Sequence, residues 1–477
     1  MKLKNSWEKA FFILFNAITI LIFLSYLYDD FYITQRHGVE FWNACFFHGG
    51  PLKFYSYVAE NTISLAMYDF TIYLIFAVWN IPCWIYELIT GADSQNVVIL
   101  MIYAKSLILV SYYLSIYFLK KLYDDIVRIT GEQSFLTDYD VLAYYASSVL
   151  LTIYSVYTGN YDIFSLAIII AGIDALINDK IGKFILLFAI ATSLKYFAIW
   201  IFVPLILIKE KRIHRIVLSL VACYSISFVE NIVFGKNAVF AEYGDMGFSA
   251  TERLKQILGA GEISIFENGI FSLSFLLYSL LCIYCYLISP SGKKLIDNIL
   301  YVSLLAWAIF FFIVFFNCYW IILMVPFLAL ITVRNKENLY INVILEFIFS
   351  LTMLGNCMIR QAWVVGGING FSTHLALESF LAKALNLFIP PVGTIGNKMM
   401  EHDSWYGLGL YIYSTMVASF IAFAVINIPS DRLQSLIPKL KSPILNEKAV
   451  MMVRNMLCLC VYVVPTLYYL YQIIANN

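Results

Sequence analysis

The chain has 477 residues, 61% of them hydrophobic and 13% charged, with a mean hydropathy of +0.80. Soluble domains are roughly 45–50% apolar and about 25% charged, so this composition excludes an ordinary water-soluble globule and predicts an all-α, polytopic protein partnered with the lipid bilayer. The formal net charge is +0, which argues against nucleic acid as a partner.

Apolar runs fall at about 11–27, 97–119, 139–157, 161–178, 184–208, 214–234, 268–288, 297–316, 318–333, 340–358, 405–427 and 453–473. They predict about 11–13 membrane helices, with 184–208 counted as a re-entrant pair. The first run, Phe11 to Leu27, has a basic start but no small-residue cleavage site before Tyr28-Asp29-Asp30. It reads as a retained helix, not a signal peptide. With the amino terminus inside, 21 of the 31 Lys and Arg lie on inner segments; 8 lie outside, and Lys105 and Lys195 fall within apolar runs. That asymmetry favours this orientation.

The orientation requires Tyr68 to Leu88 not to cross the bilayer. This run holds Asp69, Asn80, Pro82 and Glu87 among many aromatic residues, and is predicted as an interfacial helix pair on the outer face. As an ordinary span it would send Lys120 and Lys121 outside. The predicted outer segments are therefore 28–96, 235–267 and 361–404, and 428–452 is an inner linker. The chain divides into a core, 1–335, and a C-terminal helical part, 336–477.

The run 184–208 is flanked by Lys180 and Lys183 on one side and by Lys209, Lys211, Arg212 and Arg215 on the other. A plain span would separate these clusters, whereas a hairpin turning near Lys195 keeps both inside. Broken helices are tolerated at membrane depth where they line a polar cavity. A lysine there costs roughly 2.5–3.5 kcal/mol, which marks Lys195 as functional. Replacing it by methionine is predicted to leave the fold intact and abolish activity. Lys105, also within an apolar run, calls for a carboxylate or phosphate partner.

Asp29 and Asp30 sit where the first helix ends, with Arg36, His37, Glu40 and Trp42 close behind. Such a run is either a solvated boundary or a carboxylate base beside cations that stabilise a phosphate. Asp30 is favoured as base because it lies nearer Arg36 and His37, with Asp69 the next candidate. Thr158-Gly159-Asn160-Tyr161-Asp162 reads as an outer turn at the membrane edge. Asp174 and Glu346 read as snorkelling or paired. The nine cysteines are scattered, Cys282 and Cys285 or Cys458 and Cys460 having no nearby histidine to complete a metal site. No G-x-x-x-x-G-K-[ST] loop is present, so a nucleotide site has no support.

Gly159-Asn160-Tyr161-Asp162, followed by a span, a basic turn, Lys195 and Pro204, resembles the "GQ-x-D … K … P" run of the GT-C membrane glycosyltransferases. The nearest groups are the GPI-anchor mannosyltransferases and the bacterial polyprenyl-phosphate-mannose transferases. Asp29 and Asp30 after the first helix resemble their outer-loop aspartate, and Tyr68-Asp69-Phe70 their "Y-x-P" segment without its proline. Lys105 resembles a lysine of their next span, and Tyr319-Trp320 ahead of Pro326 their late "Y-W … P" element. The likeness covers about 11–335 and is one of order and spacing; Asn160 stands where glutamine is usual. It implies a GT-C fold and inverting transfer of one mannose-like sugar from a polyprenyl-phosphate carrier to a lipid-linked, glycan or protein acceptor. An aspartate would act as base at the outer face of the cell membrane. Arg36, His37, Lys105, Asn160, Asp162, Lys195, Tyr319 and Trp320 would then bind substrate. No cofactor or metal-ligand set is implied, and a need for a divalent cation stays open. A polysaccharide-lipid flippase and a glycan polymerase are the rival readings; the sequence has no convincing internal repeat of the transporter kind.

Overall fold

The computed structural model describes residues 6–132, 136–243, 250–265, 269–314, 316–360, 368–370, 404–437 and 446–475. In chain order, helix α1 (Ser6–Ser25) runs into strand β1 (Tyr26–Tyr28). Helices α2 (Asp29–Phe47), α3 (Phe54–Asn61), α4 (Phe70–Trp79) and α5 (Ile81–Thr90) follow, then the long α6 (Val98–Thr130). Next come α7 (Asp138–Ala146), α8 (Val149–Thr152), α9 (Asp162–Ile177), α10 (Ile181–Leu194), α11 (Ala198–Lys209) and α12 (Ile213–Phe234). The short α13 (Ala238–Tyr243) and α14 (Ala250–Gly259) lead to strands β2 (Glu262–Ile265) and β3 (Gly269–Ser272). The rest is α15 (Leu273–Leu287), α16 (Gly292–Ile313), α17 (Val325–Arg334), α18 (Leu339–Arg360), strand β4 (Ile368–Gly370), α19 (Ser404–Ile426), α20 (Asp431–Gln434) and α21 (Glu447–Ala475).

Among the described residues, six helices are long and apolar enough to cross a membrane: Glu8–Ser25, Val98–Thr130, Ile213–Phe234, Gly292–Ile313, Lys336–Ile359 and Gly407–Ile426. The chain is thus mostly helical, with the make-up of a multi-pass membrane protein. The larger predicted number also counted short apolar runs, and several of these are broken. Residues 139–157 form α7, α8 and a π turn at Ile153–Tyr157, not one span. The run 268–288 opens with β3, and 318–333 begins as a 3-10 turn, Cys318–Met324. Pro326 lies in the first turn of α17, where its missing N–H is not needed.

Two small antiparallel ribbons depart from the all-α expectation: β1 with β4 in the register Tyr26↔Gly370, and β2 with β3 as a hairpin. Apart from β4, most of the outer segment predicted at 361–404 lies outside the described residues, as does part of the 428–452 linker.

Tyr68 to Leu88 forms a helix pair, α4 and α5, bent by 63°. The break falls at Asn80, whose backbone ends α4 and whose next neighbour but one is Pro82. Helix α2 lies tightly against α4, because a Cβ on Gly38 would meet the Phe76 backbone at 2.9 Å. The run predicted as a re-entrant pair, 184–208, folds as a hairpin. Lys195 leaves α10 in an extended conformation, α11 starts at Ala198, and Lys209 at the far end of α11 reaches Asp179, just before α10, at 2.5 Å.

One end of the bundle gathers the residues predicted to face inside. There Lys121 pairs with Asp174, Lys293 with Glu132 (2.6 Å), and Arg334 with both Glu132 and Asp297; Lys294 meets Asp431 (2.6 Å) and Lys448 meets Asp140 (3.3 Å). The C-terminal helices are tied to α7 by a buried network. Arg454 grips Glu346 through Nε (3.0 Å) and Nη2 (2.8 Å), and Tyr144 and Ser350 donate to the same carboxylate (each 2.9 Å). Asp174 and Glu346 are therefore both paired, and Glu346 is fully satisfied.

Candidate functional site

Three helix starts and one helix end converge at the end of the bundle opposite these basic residues. Along α6, Lys105 lies about 24 Å from Lys121 at 1.5 Å per residue. Asp30 is in the first turn of α2, Asp69 is the residue capping α4, and Asp162 is the first residue of α9. Lys195 caps the carboxyl end of α10. Each charge thus meets the helix-dipole end that favours it.

Local chain chemistry sets these positions. Tyr28 is extended (φ −106°, ψ 139°) and turns the ribbon strand into α2. The π turn at Ile153–Tyr157 widens the backbone before Thr158, a device frequent at functional sites. Gly159 then takes φ +61°, a conformation costly for any residue with a Cβ. Asn160 Oδ1 accepts from the Asp162 N–H at 2.7 Å, an Asx turn that launches α9.

Lys195 Nζ lies 2.7 Å from Asp162 Oδ1, with the lysine 5% and the aspartate 0% exposed. The ammonium also stands over the rings of Tyr68 (4.6 Å), Tyr161 (5.0 Å) and Trp320 (5.9 Å), the geometry of cation–π attraction. A cavity of about 90 Å3 opens beside it, lined among others by Tyr68, Asp69, Arg253, Asn317 and Trp320. Ser227 donates to Asp69 Oδ2 at 3.4 Å, and Glu230 of the same helix accepts from the Thr71 N–H (2.9 Å) and hydroxyl.

The polar atoms here are under-satisfied. Asp162 Oδ2, Thr158 Oγ1, Asn160 Nδ2 and Trp320 Nε1 are all inaccessible and lack a hydrogen-bond partner within the protein, and beside them the buried Asp30 carboxyl faces the hydroxyls of Tyr161 and Tyr68. Buried polar atoms are paired in the great majority of cases, so this concentration marks a place where something else binds. Burial lifts the Asp30 carboxyl to about 6, against the pull of Lys195 and with a push from Asp162. Burial, followed by the nearby Glu230 carboxylate, lifts Asp69 to about 8. Among the described residues no group of three or more His, Cys, Asp or Glu is placed to hold a metal ion.

Of the residues singled out from sequence, Asp30, Asp69, Asn160, Asp162, Lys195 and Trp320 come together. Tyr319 lies just behind, its hydroxyl accepting from Asn317 Nδ2 at 2.6 Å and its ring edge-on to Tyr28 at 6.4 Å. Asp29, the neighbour of Asp30 in the first turn of α2, does not line the cavity. Arg36 and His37 differ from expectation. Arg36 is held by Glu40, by both oxygens of Glu87 (2.8 and 3.0 Å) and by Asp93 (3.3 Å), so its charge is already answered. His37 Nε2 lies 2.9 Å from the Ser64 carbonyl, and burial lowers its pKa to about 4, leaving it neutral near pH 7. The cation beside Asp30 is Lys195 instead. For Lys105, expected to meet a carboxylate or a phosphate, the structure shows an ammonium that donates to the carbonyls of Phe23 (2.8 Å) and Tyr26 (2.5 Å) at the end of α1. Those carbonyls lie at a helix carboxyl end, which favours a cation.

The sequence reading missed Tyr161, Arg253, Asn317, Ser227 and Glu230. Glu230 carried a signal, being a carboxylate within an apolar run, as Lys195 is a cation within one. Arg253 carried none, because α14 reads only as an amphipathic helix in a polar loop. No family model matches this chain, and no curated protein matches it in sequence.

Proposed function

We propose that this protein is a membrane glycosyltransferase of GT-C type that moves a single mannose-like sugar from a polyprenyl-phosphate carrier to a lipid-linked, glycan or protein acceptor at the outer face of the cell membrane. The observation that carries this reading is the set of orphaned atoms around Lys195. They include an acceptor (Asp162) and donors (Asn160, Trp320) as well as the Thr158 hydroxyl, beneath aromatic rings. A polyol needs both kinds of partner and stacks its C–H faces on aromatic rings; a bare phosphate needs only donors.

In this proposal Asp30 Oδ2 takes the proton of the acceptor hydroxyl as that oxygen bonds to the anomeric carbon. The bond from that carbon to the phosphate oxygen breaks, and the phosphate leaves with the electron pair and with inversion. Lys195 and Arg253 face the developing negative charge in a site of low dielectric. The test is transfer of a radiolabelled hexose from a short-chain polyprenyl-phosphate donor by the purified protein in detergent. Transfer needs no sealed bilayer, whereas transport does. A protein inert in detergent that instead moves lipid-linked glycan across sealed liposomes would refute the enzyme reading.

A further inference from the structure

At the basic end of the bundle, the foot of the hairpin gathers charge of one sign. Lys180 and Lys183 stand at the start of α10, Lys209 and Lys211 at the end of α11, and Arg212 and Arg215 at the start of α12. These six cations face two carboxylates, Asp179 and Glu210, which leaves four positive charges in excess. Lys209 takes Asp179 at 2.5 Å, while Arg212 (3.2 Å) and Arg215 (3.5 Å) share Glu210. Lys211 donates to the carbonyls of Leu207 (2.6 Å) and Cys285 (2.9 Å). Lys180 and Lys183 are exposed and have no carboxylate partner among the described residues. The adjoining end of α6 lends none, because its Lys121 and Arg128 already answer Asp174 and Asp125. The two helices that carry these cations leave the foot side by side. Thr192 Oγ1 lies 3.5 Å from Cys223 Sγ, each about three turns beyond its own helix start, so α10 and α12 run parallel and in step. Packed helices lie about 8–10 Å apart, a gap that lysine and arginine stems span from both sides. One turn further along each helix, on the same side as a cation, stands an exposed leucine: Leu186 after Lys183 and Leu218 after Arg215.

We propose that the hairpin foot binds an anionic phospholipid of the adjoining leaflet, its phosphate received by Lys180, Lys183, Arg212 and Arg215 and its acyl chains lying along Leu186 and Leu218. The sign of the excess selects the anion. A zwitterionic head group would bring a second cation to a surface already short of carboxylates. The exposed leucines one turn away put these cations at the edge of the hydrocarbon, where the phosphate on offer belongs to a lipid. Arginine adds paired donors for phosphate oxygens, and lysine a point charge on a flexible stem.

The test is native mass spectrometry of the full-length protein released from detergent after exposure to phosphatidylglycerol, phosphatidylcholine or phosphatidylethanolamine with identical acyl chains. The glycerol lipid should be retained best. Each cation near an anionic head group is worth about fivefold in affinity, so Lys180→Gln combined with Lys183→Gln should cut retention of the glycerol lipid about 25-fold and leave the choline lipid unchanged. Both lysines are exposed, so the melting temperature should not move. Lys293→Gln combined with Lys294→Gln removes the same charge from the same end, where Glu132 and Asp431 already answer each lysine. That control should retain the glycerol lipid as the native protein does. Glycerol phosphate, which carries the anion without acyl chains, should not displace the lipid at equal concentration. Equal retention of the three lipids, an undiminished preference without Lys180 and Lys183, the same loss in the control, or displacement by glycerol phosphate would each overturn the proposal.

Discussion

Breaking the Lys195–Asp162 pair should cost far more than the sequence predicts. Read alone, Lys195→Met removes a charge from an apolar run and ought to be tolerated. In the fold it leaves Asp162, 0% exposed, without its ammonium 2.7 Å away. Removing one partner of a buried ion pair costs about 3–5 kcal/mol, because the remaining charge is uncompensated. Asp162→Asn should cost a similar amount, since it strands the lysine. The Asn160 turn accepts from the Asp162 backbone N–H, not its carboxylate, so that substitution leaves the helix start intact. The double variant, Lys195→Met with Asp162→Asn, removes both charges and should recover most of the loss, giving a coupling of about 3 kcal/mol or more in a double-mutant cycle. Unfolding in a denaturing detergent titration measures all four proteins. Transfer activity should stay absent in the recovered double variant, which separates folding from chemistry. Additive single costs, with a coupling near zero, would refute the pairing argument.

Other outcomes follow from the same geometry. Asp30→Asn should lower the transfer rate about 10²–10⁴-fold, and Asp29→Asn should leave it near normal. Because the Asp30 carboxyl is lifted to about 6, kcat/KM should rise with pH through about 6 and level off above it as the base becomes ionised. A profile flat from pH 5 to 7 would count against Asp30. For stability the sign is opposite: a carboxyl raised in the folded state contributes below its unfolded value near 3.8, and that contribution is lost as pH rises toward 6. Gly38→Ala should destabilise by about 1–3 kcal/mol through overpacking against Phe76, read as a lower melting temperature. Lys105→Met should lower the melting temperature by loosening the α1–β1 junction, yet leave the Michaelis constant for the lipid donor unchanged. A raised constant in a stable variant would return Lys105 to substrate binding.

Composition and hydrophobic runs were enough to place this chain in a bilayer, because a segment with no water to bond its backbone must be apolar and helical. The hairpin around Lys195 was legible too: positive charges on both flanks of one apolar run leave few ways to keep them on one side. Asp30, Asp162 and Lys195 stood out as charges next to or within apolar runs. Which charge meets which did not stand out. Arg36 lies six residues beyond Asp30, yet its guanidinium is claimed by Glu87 and Asp93 from a different helix and turn, while Lys195, far along the chain, supplies Asp30 with its cation. Lys105 was recognised as needing a partner but received backbone carbonyls, since the end of α1 delivers unpaired acceptors that composition does not display. Periodicity also failed at 139–157, where an apolar run long enough for a span is cut into short helices and a π turn that aim Asn160 and Asp162. Sequence therefore determined that polar groups had to be buried in an apolar protein. Tertiary structure alone decided their partners, because helix ends separated in the chain share one dry site, and in low dielectric the nearest opposite charge dominates whatever its distance in sequence.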